Sequence, residues 1–252
     1  MTKEILFFEE LSLNALPSLQ TQYYDGWVLR YTSGYRYTNR ANSVNLLYPS
    51  SLDLQTKINE CEKRYLGLNM PPTFKITDGT DVEVDLLLER MGYETLYPTY
   101  MKTVEYKGVQ RISKNCLLFN TINKEWQETF YSLSTYTDEK RMEVASSLFD
   151  NIKTDVICGK LIIDGAAVAC GLCVIEHGYM GLYNIIVGGE YRGKGYGEEL
   201  CESLIAATRE FGVNKAYLQV MADNTAAINL YAKYGYNTIY SYWYRVKNVS
   251  TM

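Results

Sequence analysis

The 252-residue sequence is poor in several residue types, and each shortage excludes a class of protein. Its only histidine is His177, which removes most Ser/His/Asp and Cys/His schemes of nucleophilic catalysis. It has no run of eighteen apolar residues, and its N-terminal segment lacks a long apolar core with a small-residue cleavage site. Neither a membrane span nor a signal peptide is therefore predicted, and we expect a cytoplasmic protein without a membrane partner.

The sequence also lacks an excess of positive charge. Its 25 Lys and Arg residues against 29 Asp and Glu residues leave a formal net charge of −4. Binding to a phosphate backbone needs a basic surface, so a nucleic-acid partner is not expected. With 47% hydrophobic and 21% charged residues, the chain is predicted to fold around a normal core, which excludes disordered, collagen-like and coiled-coil proteins.

The six cysteines do not form a metal-binding pattern. Most of them lie in apolar runs, where a thiol behaves as a small hydrophobic group, so we expect reduced cysteines. Cys170 and Cys173 form a C-x-x-C sequence, but in a strand this spacing places them on opposite faces. Since there is no second pair and only one histidine, no metal site is predicted.

The second half of the chain has the clearer secondary-structure pattern. Two helices are predicted at 123–135 and 138–153, followed by three apolar runs separated by Asp164-Gly165 and His177-Gly178. Asp-Gly between hydrophobic runs is a strong hairpin signal, which indicates an antiparallel meander that ends at Val187.

An alternation of helices and strands follows the meander. Residues 197–212 have apolar side chains at helical spacing and a glycine at the C-cap position. Residues KAYLQV then predict a strand, AAINLYAKY a helix capped by Asp223 or Asn224, and YSYWYRV a last strand. This order predicts an α/β fold with a mixed sheet.

The first half of the sequence repeats the end of the second half. A shift of 143 residues places Gly92-Tyr93 on Gly235-Tyr236 and FKIT (74–77) on YLQV (217–220) without a gap. A constant offset over some thirty residues indicates two related domains. Because the segment 107–115 is polar, we predict domains at 1–108 and 112–252.

A glycine-rich segment, RGKGYG at 192–197, lies between the last strand of the meander and an amphipathic helix. Its three glycines allow a tight turn and a close approach to a ligand, and the start of the helix presents unpaired N–H groups. Arg192 and Lys194 add local positive charge in a protein of negative net charge. These features predict a site for a pyrophosphate, although the spacing is neither that of a Rossmann fold nor that of a Walker loop.

Two motifs carry a resemblance to a known family. The spacing Arg192-x-x-Gly195-x-Gly197 and the segment LQVMADNTAAINLYAKYGY, some thirty residues later, resemble the two cofactor-binding motifs of the GNAT superfamily of N-acetyltransferases. The resemblance covers roughly residues 112–247 and implies a tandem GNAT protein. In such a protein the C-terminal domain would be catalytic, with acetyl-CoA as cosubstrate, no metal, and an amine acceptor.

The resemblance also implies the roles of individual residues. Tyr231 matches the general acid that hydrogen-bonds to the departing thiolate. Asn224 matches a position that contacts CoA and also suits a helix N-cap. The positions expected to bind CoA through the strand and the loop are Ile185, Ile186, Val187, Arg192, Gly193, Lys194, Gly195, Tyr196 and Gly197.

The general base is left open. Some members of the superfamily place a glutamate in one of the two strands beside the thioester, but here Gln219 takes one place and residues 179–187 contain no carboxylate. Glu176 is the nearest acidic residue. A base acting through water, or no base at all, is equally compatible with the sequence.

The first half lacks the residues that the second half would use. The same offset places Tyr231 on Leu88, and it places the four conserved-type loop positions on Pro49, Ser50, Leu52 and Leu54. We therefore expect a domain without a CoA loop. Its residues 27–49 predict two strands around Ser33-Gly34; Arg36, Arg40 and Asn42 either line an acceptor pocket or belong to a half-solvated hairpin.

The leading hypothesis is an acetyl-CoA-dependent N-acetyltransferase for a primary amine of a small molecule. A non-catalytic acyl-CoA sensor, suggested by the absent base, and a protein lysine or N-terminal acetyltransferase are the alternatives. The sequence leaves open the amine, the length of the acyl group and the oligomeric state.

Overall fold

The computed structural model describes residues 1–32, 38–107, 111–134 and 138–248. Ser33-Gly34 and Arg36 lie outside these residues. The helices are α1 Lys3–Ala15, α2 Leu54–Gly67, α3 Val82–Arg90, α4 Lys124–Leu133, α5 Glu139–Asp150, α6 Tyr196–Ala207 and α7 Thr225–Lys233. The strands are β1 Gln20–Tyr24, β2 Trp27–Tyr31, β3 Val44–Leu46, β4 Thr73–Thr77, β5 Glu94–Glu105, β6 Cys116–Phe119, β7 Asp155–Ile163, β8 Ala166–Glu176, β9 Tyr179–Val187, β10 Lys215–Met221 and β11 Asn237–Val246. The predicted α/β class and mixed sheet are confirmed.

The described chain divides into two compact units. The first unit comprises Met1–Met101, Met221–Asp223 and Thr238–Met252, and the second comprises Lys102–Val220 and Asn224–Asn237. The chain thus leaves the first unit within β5, rather than in the polar segment 107–115, and β11 returns to it. Neither unit is one continuous segment, so a single boundary does not describe this division.

The sheet of the first unit has the strand order β1-β2-β3-β4-β11. β1, β2 and β3 pair antiparallel, β3 and β4 pair parallel, and β11 pairs antiparallel with β4 from Tyr242↔Thr77 to Val246↔Thr73. Its apolar core includes the fully buried residues Leu29, Val44, Ile58, Cys61, Tyr65, Phe74 and Leu88. The last strand of the chain therefore completes the sheet of the unit that begins the chain.

An ion pair is buried in the same unit. Lys75 Nζ lies 2.7 Å from both carboxylate oxygens of Glu9, and the side chains of Lys75 and Glu9 are 4% and 1% exposed. The Tyr240 hydroxyl donates to Glu9 Oε1 at 2.7 Å. Desolvation lowers the pKa of Lys75, while Glu9 acts in the opposite direction. Both charges have partners, as charges in a core must.

In the second unit, residues 102–105 of β5 are followed across the sheet by β10, β9, β8, β7 and β6. The predicted meander is β7, β8 and β9, and its turns at Asp164-Gly165 and His177-Gly178 have positive φ at all four residues, as a type I′ turn requires. The helices predicted at 123–135 and 138–153 are α4 and α5. α6 ends in a 3₁₀ turn at Thr208–Phe211 and at Gly212, whose φ is 68°, so this predicted helix and its C-cap are also confirmed.

The helix and strand bounds repeat at the predicted offset. α3 and α7 are displaced by 143 residues at both ends (225 − 82 and 233 − 90). Gly92 and Gly235 have φ values of 83° and 80°. The N–H of Tyr93 donates to Leu88 O and that of Tyr236 to Tyr231 O. The two segments thus form the same helix and the same glycine-terminated turn.

All six cysteines are free thiols. The ladder pairs Cys170 with Ile186 and Cys173 with Leu182, so Cys170 and Cys173 lie on opposite faces of β8 as predicted. Among the described residues, no cluster of three potential metal ligands occurs. No helix in the same ranges has the length and apolar character needed to cross a membrane.

Candidate active site

The ladder between β9 and β10 ends before the strands do. The two strands pair in parallel from Tyr179↔Lys215 to Leu182↔Leu218, whereas β9 continues to Val187. On its other edge, β9 stays paired with β8 as far as Val187↔Ala169. Residues 183–187, which include the predicted Ile185, Ile186 and Val187, therefore offer one edge of main-chain groups to a ligand rather than to β10.

A β-bulge lies in this part of β9. Cys170 pairs with Ile186 and Leu172 with Tyr183, so two residues, Asn184 and Ile185, lie opposite Gly171. Asn184 has a φ of 52°, which is uncommon for a residue other than glycine. Bulges bend a strand and end its regular pairing, which accounts for the divergence of β9 at this point.

The loop 188–195 connects β9 to α6 and depends on glycine. Gly193 and Gly195 have φ values of 76° and 83°, in the left-handed region that glycine adopts without a steric penalty. Gly188 holds the start of the loop by donating its N–H to Val168 O at 3.0 Å. Two of the predicted loop glycines are thus required by the backbone itself.

The N-terminus of α6 differs from those of the other helices in the described ranges. Each of the other six has an N-cap side chain that accepts a main-chain N–H of its first turn; these residues are Thr2, Asp53, Asp81, Asn123, Asp138 and Asn224. α6 has Gly195 at its N-cap and no side-chain cap. Its first N–H groups are therefore available to an external anion, which the helix dipole also favours.

Charged side chains surround this N-terminus. Arg192 and Lys194 are both exposed. Two acidic residues of the first turn of α6 are engaged elsewhere: Glu198 pairs with Lys233 at 2.7 Å, and Glu199 accepts a hydrogen bond from the Ser113 hydroxyl. The negative charge of the first turn is thus partly compensated, and the two cations lie on the loop itself.

Gly197 brings α6, β9 and α7 together. A Cβ atom at Gly197 would lie 3.4 Å from Val187 Cγ2 and 3.7 Å from Leu230 Cδ2, which are ordinary packing distances. Tyr231 follows Leu230 directly in α7. The strand end, the start of α6 and the helix that carries Tyr231 therefore meet at this glycine, where alanine would also fit.

Tyr231 is buried at 8% exposure, with its ring centroid 5.5 Å from that of Tyr236. Burial raises the pKa of Tyr231 well above its usual value, and Cys201 and neighbouring tyrosines act in the same direction. A phenol already loses its proton about 1.5 pKa units less readily than a thiol, or roughly 2 kcal/mol. Tyr231 is therefore a neutral hydrogen-bond donor, not a group that transfers its proton completely to a thiolate.

Asn224 is the N-cap of α7. Its Oδ1 accepts the N–H of Ala227 at 3.1 Å, which confirms the predicted capping role. The predicted contact with CoA stays a prediction. The side chain is exposed, so its remaining amide group can also reach a ligand.

Comparison with known proteins assigns this arrangement to a family. Residues 119–236 match the acetyltransferase (GNAT) family. YobR of Bacillus subtilis (strain 168), described as an uncharacterized N-acetyltransferase, is 28% identical over 251 residues, covering 97% of this chain and 99% of that protein. The chain belongs to the GNAT superfamily of acetyltransferases.

Solved GNAT structures have the same fold. A GCN5-related N-acetyltransferase from Kribbella flavida has a TM-score of 0.71 at 15% identity and covers 97% of this chain and 96% of its own. A tandem GNAT protein from the clavulanic acid biosynthesis pathway has a TM-score of 0.67 at 13% identity, covering 96% of this chain and 88% of its own. Family membership makes this GNAT protein an acyltransferase enzyme.

The candidate base Glu176 lies at the wrong end of β9. It pairs with Tyr179, eight residues before Val187, which at about 3.3 Å per residue places it roughly 26 Å along the strand from the loop. Its carboxylate lies 3.8 Å from His177 Nε2 in the exposed turn. Gln219 is half-buried on β10, just beyond the last paired residue, Leu218.

A pair of tyrosine hydroxyls that the sequence analysis missed lies at the divergence of the strands. Tyr183 Oη and Tyr217 Oη are 3.2 Å apart, and both residues are buried. Gly181 makes room for them, since a Cβ there would lie 2.6 Å from the Tyr217 hydroxyl. The signal was present, because Gly181 is the one residue of β9 between Met180 and Val187 without a side chain.

The first unit has no glycine between β3 and α2, where residues 47–53 form the connection. The predicted absence of a glycine loop is correct, but the single offset does not extend there. Leu218 pairs with Leu182 and Lys75 with Asn45, so β10 is shifted from β4 by 143 residues but β9 from β3 by 137 (182 − 45). Asn42, a predicted pocket residue, is buried and its Oδ1 accepts the Thr32 N–H at 2.8 Å.

Proposed function

We propose that this GNAT enzyme transfers an acetyl group from acetyl-CoA to a primary amine of a small molecule. The observation that carries the proposal is the coincidence of two features in the second unit. The edge of β9 is unpaired beyond Leu182, and the adjoining helix α6 starts without a side-chain cap. Together they suit a ligand with a linear amide-containing arm and a diphosphate at one end.

The donor would be held mainly by main-chain groups. The N–H groups of residues 193–197 would bind the diphosphate, with Arg192 and Lys194 as cations beside it. Residues 185–187 would pair with the amide groups of the pantetheine arm along the free edge of β9. Bound acetyl-CoA supplies the thioester that the amine attacks.

The chain itself contributes little acid–base chemistry. Tyr231 would donate a hydrogen bond to the sulfur as negative charge develops there, which needs no complete proton transfer. Because β9 offers no carboxylate, the amine would lose its proton to water. Such an enzyme is expected to work best at a pH where a useful fraction of the amine is already neutral.

The first unit would be the second domain of a tandem GNAT protein without a donor site of its own. The repeated bounds of α3 and α7 support this relationship. Leu88 replaces the phenol of Tyr231, and residues 47–53 lack glycine. A cytoplasmic location with reduced, buried cysteines would complete this assignment.

Calorimetry with acetyl-CoA, followed by thiol release across a panel of small primary amines, tests the proposal. We expect uptake of acetyl-CoA and amine-dependent release of CoA. A folded protein that takes up no acetyl-CoA contradicts the donor site. Uptake with no thiol release for any amine would instead indicate the acyl-CoA sensor, and mass shifts on proteins only would indicate a protein acetyltransferase.

A further inference from the structure

The β3–α2 connection of the first unit surrounds a single carboxylate. Asp25, in the turn between β1 and β2, accepts the main-chain N–H groups of Ser51 and Leu52 at 2.9 Å each. It also accepts the hydroxyls of Ser50 and Ser51 at 2.7 and 2.8 Å. Two successive N–H groups and two hydroxyls therefore converge on one anionic group.

A buried cation completes this arrangement. Lys57 Nζ lies 3.1 Å from Asp25 Oδ2 and donates to the main-chain O of Asp25 at 2.6 Å, and its side chain is 0% exposed. Its ammonium group also lies 3.9 Å from the ring centroid of Trp27. These donors lower the pKa of Asp25 far below its usual range, with the Leu52 N–H as the largest cause.

Successive main-chain N–H groups, hydroxyls and an ammonium are the donors with which proteins bind phosphate and sulfate. Their location also corresponds to that of the GNAT loop. Residues 47–53 connect β3, the first strand of the parallel pair β3/β4, to the following helix. Residues 188–195 connect β9 to α6 in the same way.

The turn that carries Asp25 is fitted closely to this connection. Asp25 and Gly26 have φ values of 43° and 81°, and the N–H of Tyr48 donates to Gly26 O at 3.0 Å. A Cβ at Gly26 would lie 2.1 Å from Pro49 O, so no other residue fits there without a shift of the backbone. The carboxylate is thus delivered by a docked turn, not by a free surface side chain.

We propose that the first unit contains an oxyanion-binding loop, formed by residues 50–52 and Lys57, that the chain fills with its own Asp25 carboxylate. The loop is therefore closed to phosphate groups. This inference goes beyond the proposed function, since it concerns only the first unit and holds whatever the second unit binds.

Phosphate binding by the full chain tests the inference. We compare the wild type with Asp25→Ala, counting inorganic phosphate sites by calorimetry at constant ionic strength. Asp25→Ala should have one phosphate site more than the wild type, whether the wild type has none or one in the second unit. Asp25→Asn, whose amide still fills the space, and the double variant Asp25→Ala/Lys57→Met should gain no site.

Equal numbers of phosphate sites in the wild type and in folded Asp25→Ala would overturn the inference. If Asp25→Ala does not fold in chloride, its refolding yield in phosphate and in chloride of equal ionic strength is measured instead. Recovery that depends on phosphate supports the filled loop, and equal recovery in both salts contradicts it. Because only differences from the wild type are used, a failure of the proposed donor site does not affect the result.

Discussion

The connections 47–53 and 188–195 each lead from a parallel strand pair into a helix, and they satisfy their N–H groups in opposite ways. The first uses Asp25, Lys57 and an Asp53 cap, all from its own unit. The second has glycines at left-handed φ and an uncapped helix. The same backbone topology thus serves as internal structure in one unit and as a candidate ligand site in the other.

The helices that follow, α3 and α7, extend this comparison. They have the same length and the same terminating turn, but Leu88 in one corresponds to Tyr231 in the other. Similarly, Lys75 on β4 is buried against Glu9, whereas its counterpart on β10 is the apolar Leu218. Polar groups in the first unit have partners within that unit, while the second unit presents several of them near its strand divergence.

The largest expected effect is on the rate of the second unit. Tyr231→Phe should lower kcat by about a hundred- to ten-thousandfold, because the hydrogen bond to the developing thiolate is lost. Steady-state kinetics with an accepted amine measures this change. Tyr236→Phe is the matched control: its hydroxyl is bonded to that of Tyr106, so it should cost about 1 kcal/mol of stability with little change in rate. Equal rates for Tyr231→Phe and the wild type would contradict the assigned role.

The buried ion pair is the corresponding weak point of the first unit. Glu9→Gln should lower the free energy of unfolding by about 3–5 kcal/mol, because it leaves the ammonium of Lys75 buried without its charge partner. Denaturant unfolding measures the loss. The double variant Glu9→Gln/Lys75→Met removes both charges and should lose less than Glu9→Gln alone. A larger loss in the double variant would show that the pair acts mainly through packing.

Gly195 and Gly197 separate conformational need from space. Gly195→Ala places a side chain at a φ of 83°, which costs roughly 1–2 kcal/mol and should weaken acetyl-CoA binding by distorting the start of α6. Gly197→Ala adds a Cβ at ordinary contact distances within a helix and should leave both properties nearly unchanged. Thermal unfolding and calorimetry check the pair, and similar behaviour of both variants would contradict the predicted difference.

The smallest effects compare two helix caps. Asn224→Ala and Asp81→Ala each remove an N-cap side chain and should each cost about 0.5–2 kcal/mol of stability. Only Asn224→Ala should also weaken CoA binding, since only α7 belongs to the proposed donor site. If calorimetry finds CoA affinity unchanged in Asn224→Ala, Asn224 is a cap and nothing more.

Local signals predicted most of the second unit. Asp164-Gly165 and His177-Gly178 form the expected turns, and Gly212 ends α6 as its position indicates. These features depend on residues close together in sequence. The same Asp-Gly signal is present at Asp25-Gly26, but the sequence alone did not connect this turn to residues 50–52, because that contact spans about 25 positions.

Long-range pairing explains the remaining differences. The pattern YSYWYRV correctly predicted a strand, yet no local signal indicates that β11 pairs with β4. The bulge at Asn184 and the end of the β9/β10 ladder likewise depend on three strands at once. The burial of Tyr231, which decides that it acts as a neutral donor, follows from the packing of α7 and not from its helical spacing.

The position of β11 has a consequence for synthesis. A ribosome releases β4 early, but the strand that covers its open edge is among the last residues to emerge. Until then the nascent chain carries an unpaired edge with Phe74 and Ile76 on it, the kind of surface that promotes aggregation. Premature termination only a dozen residues from the end would therefore damage the earliest-made part of the protein.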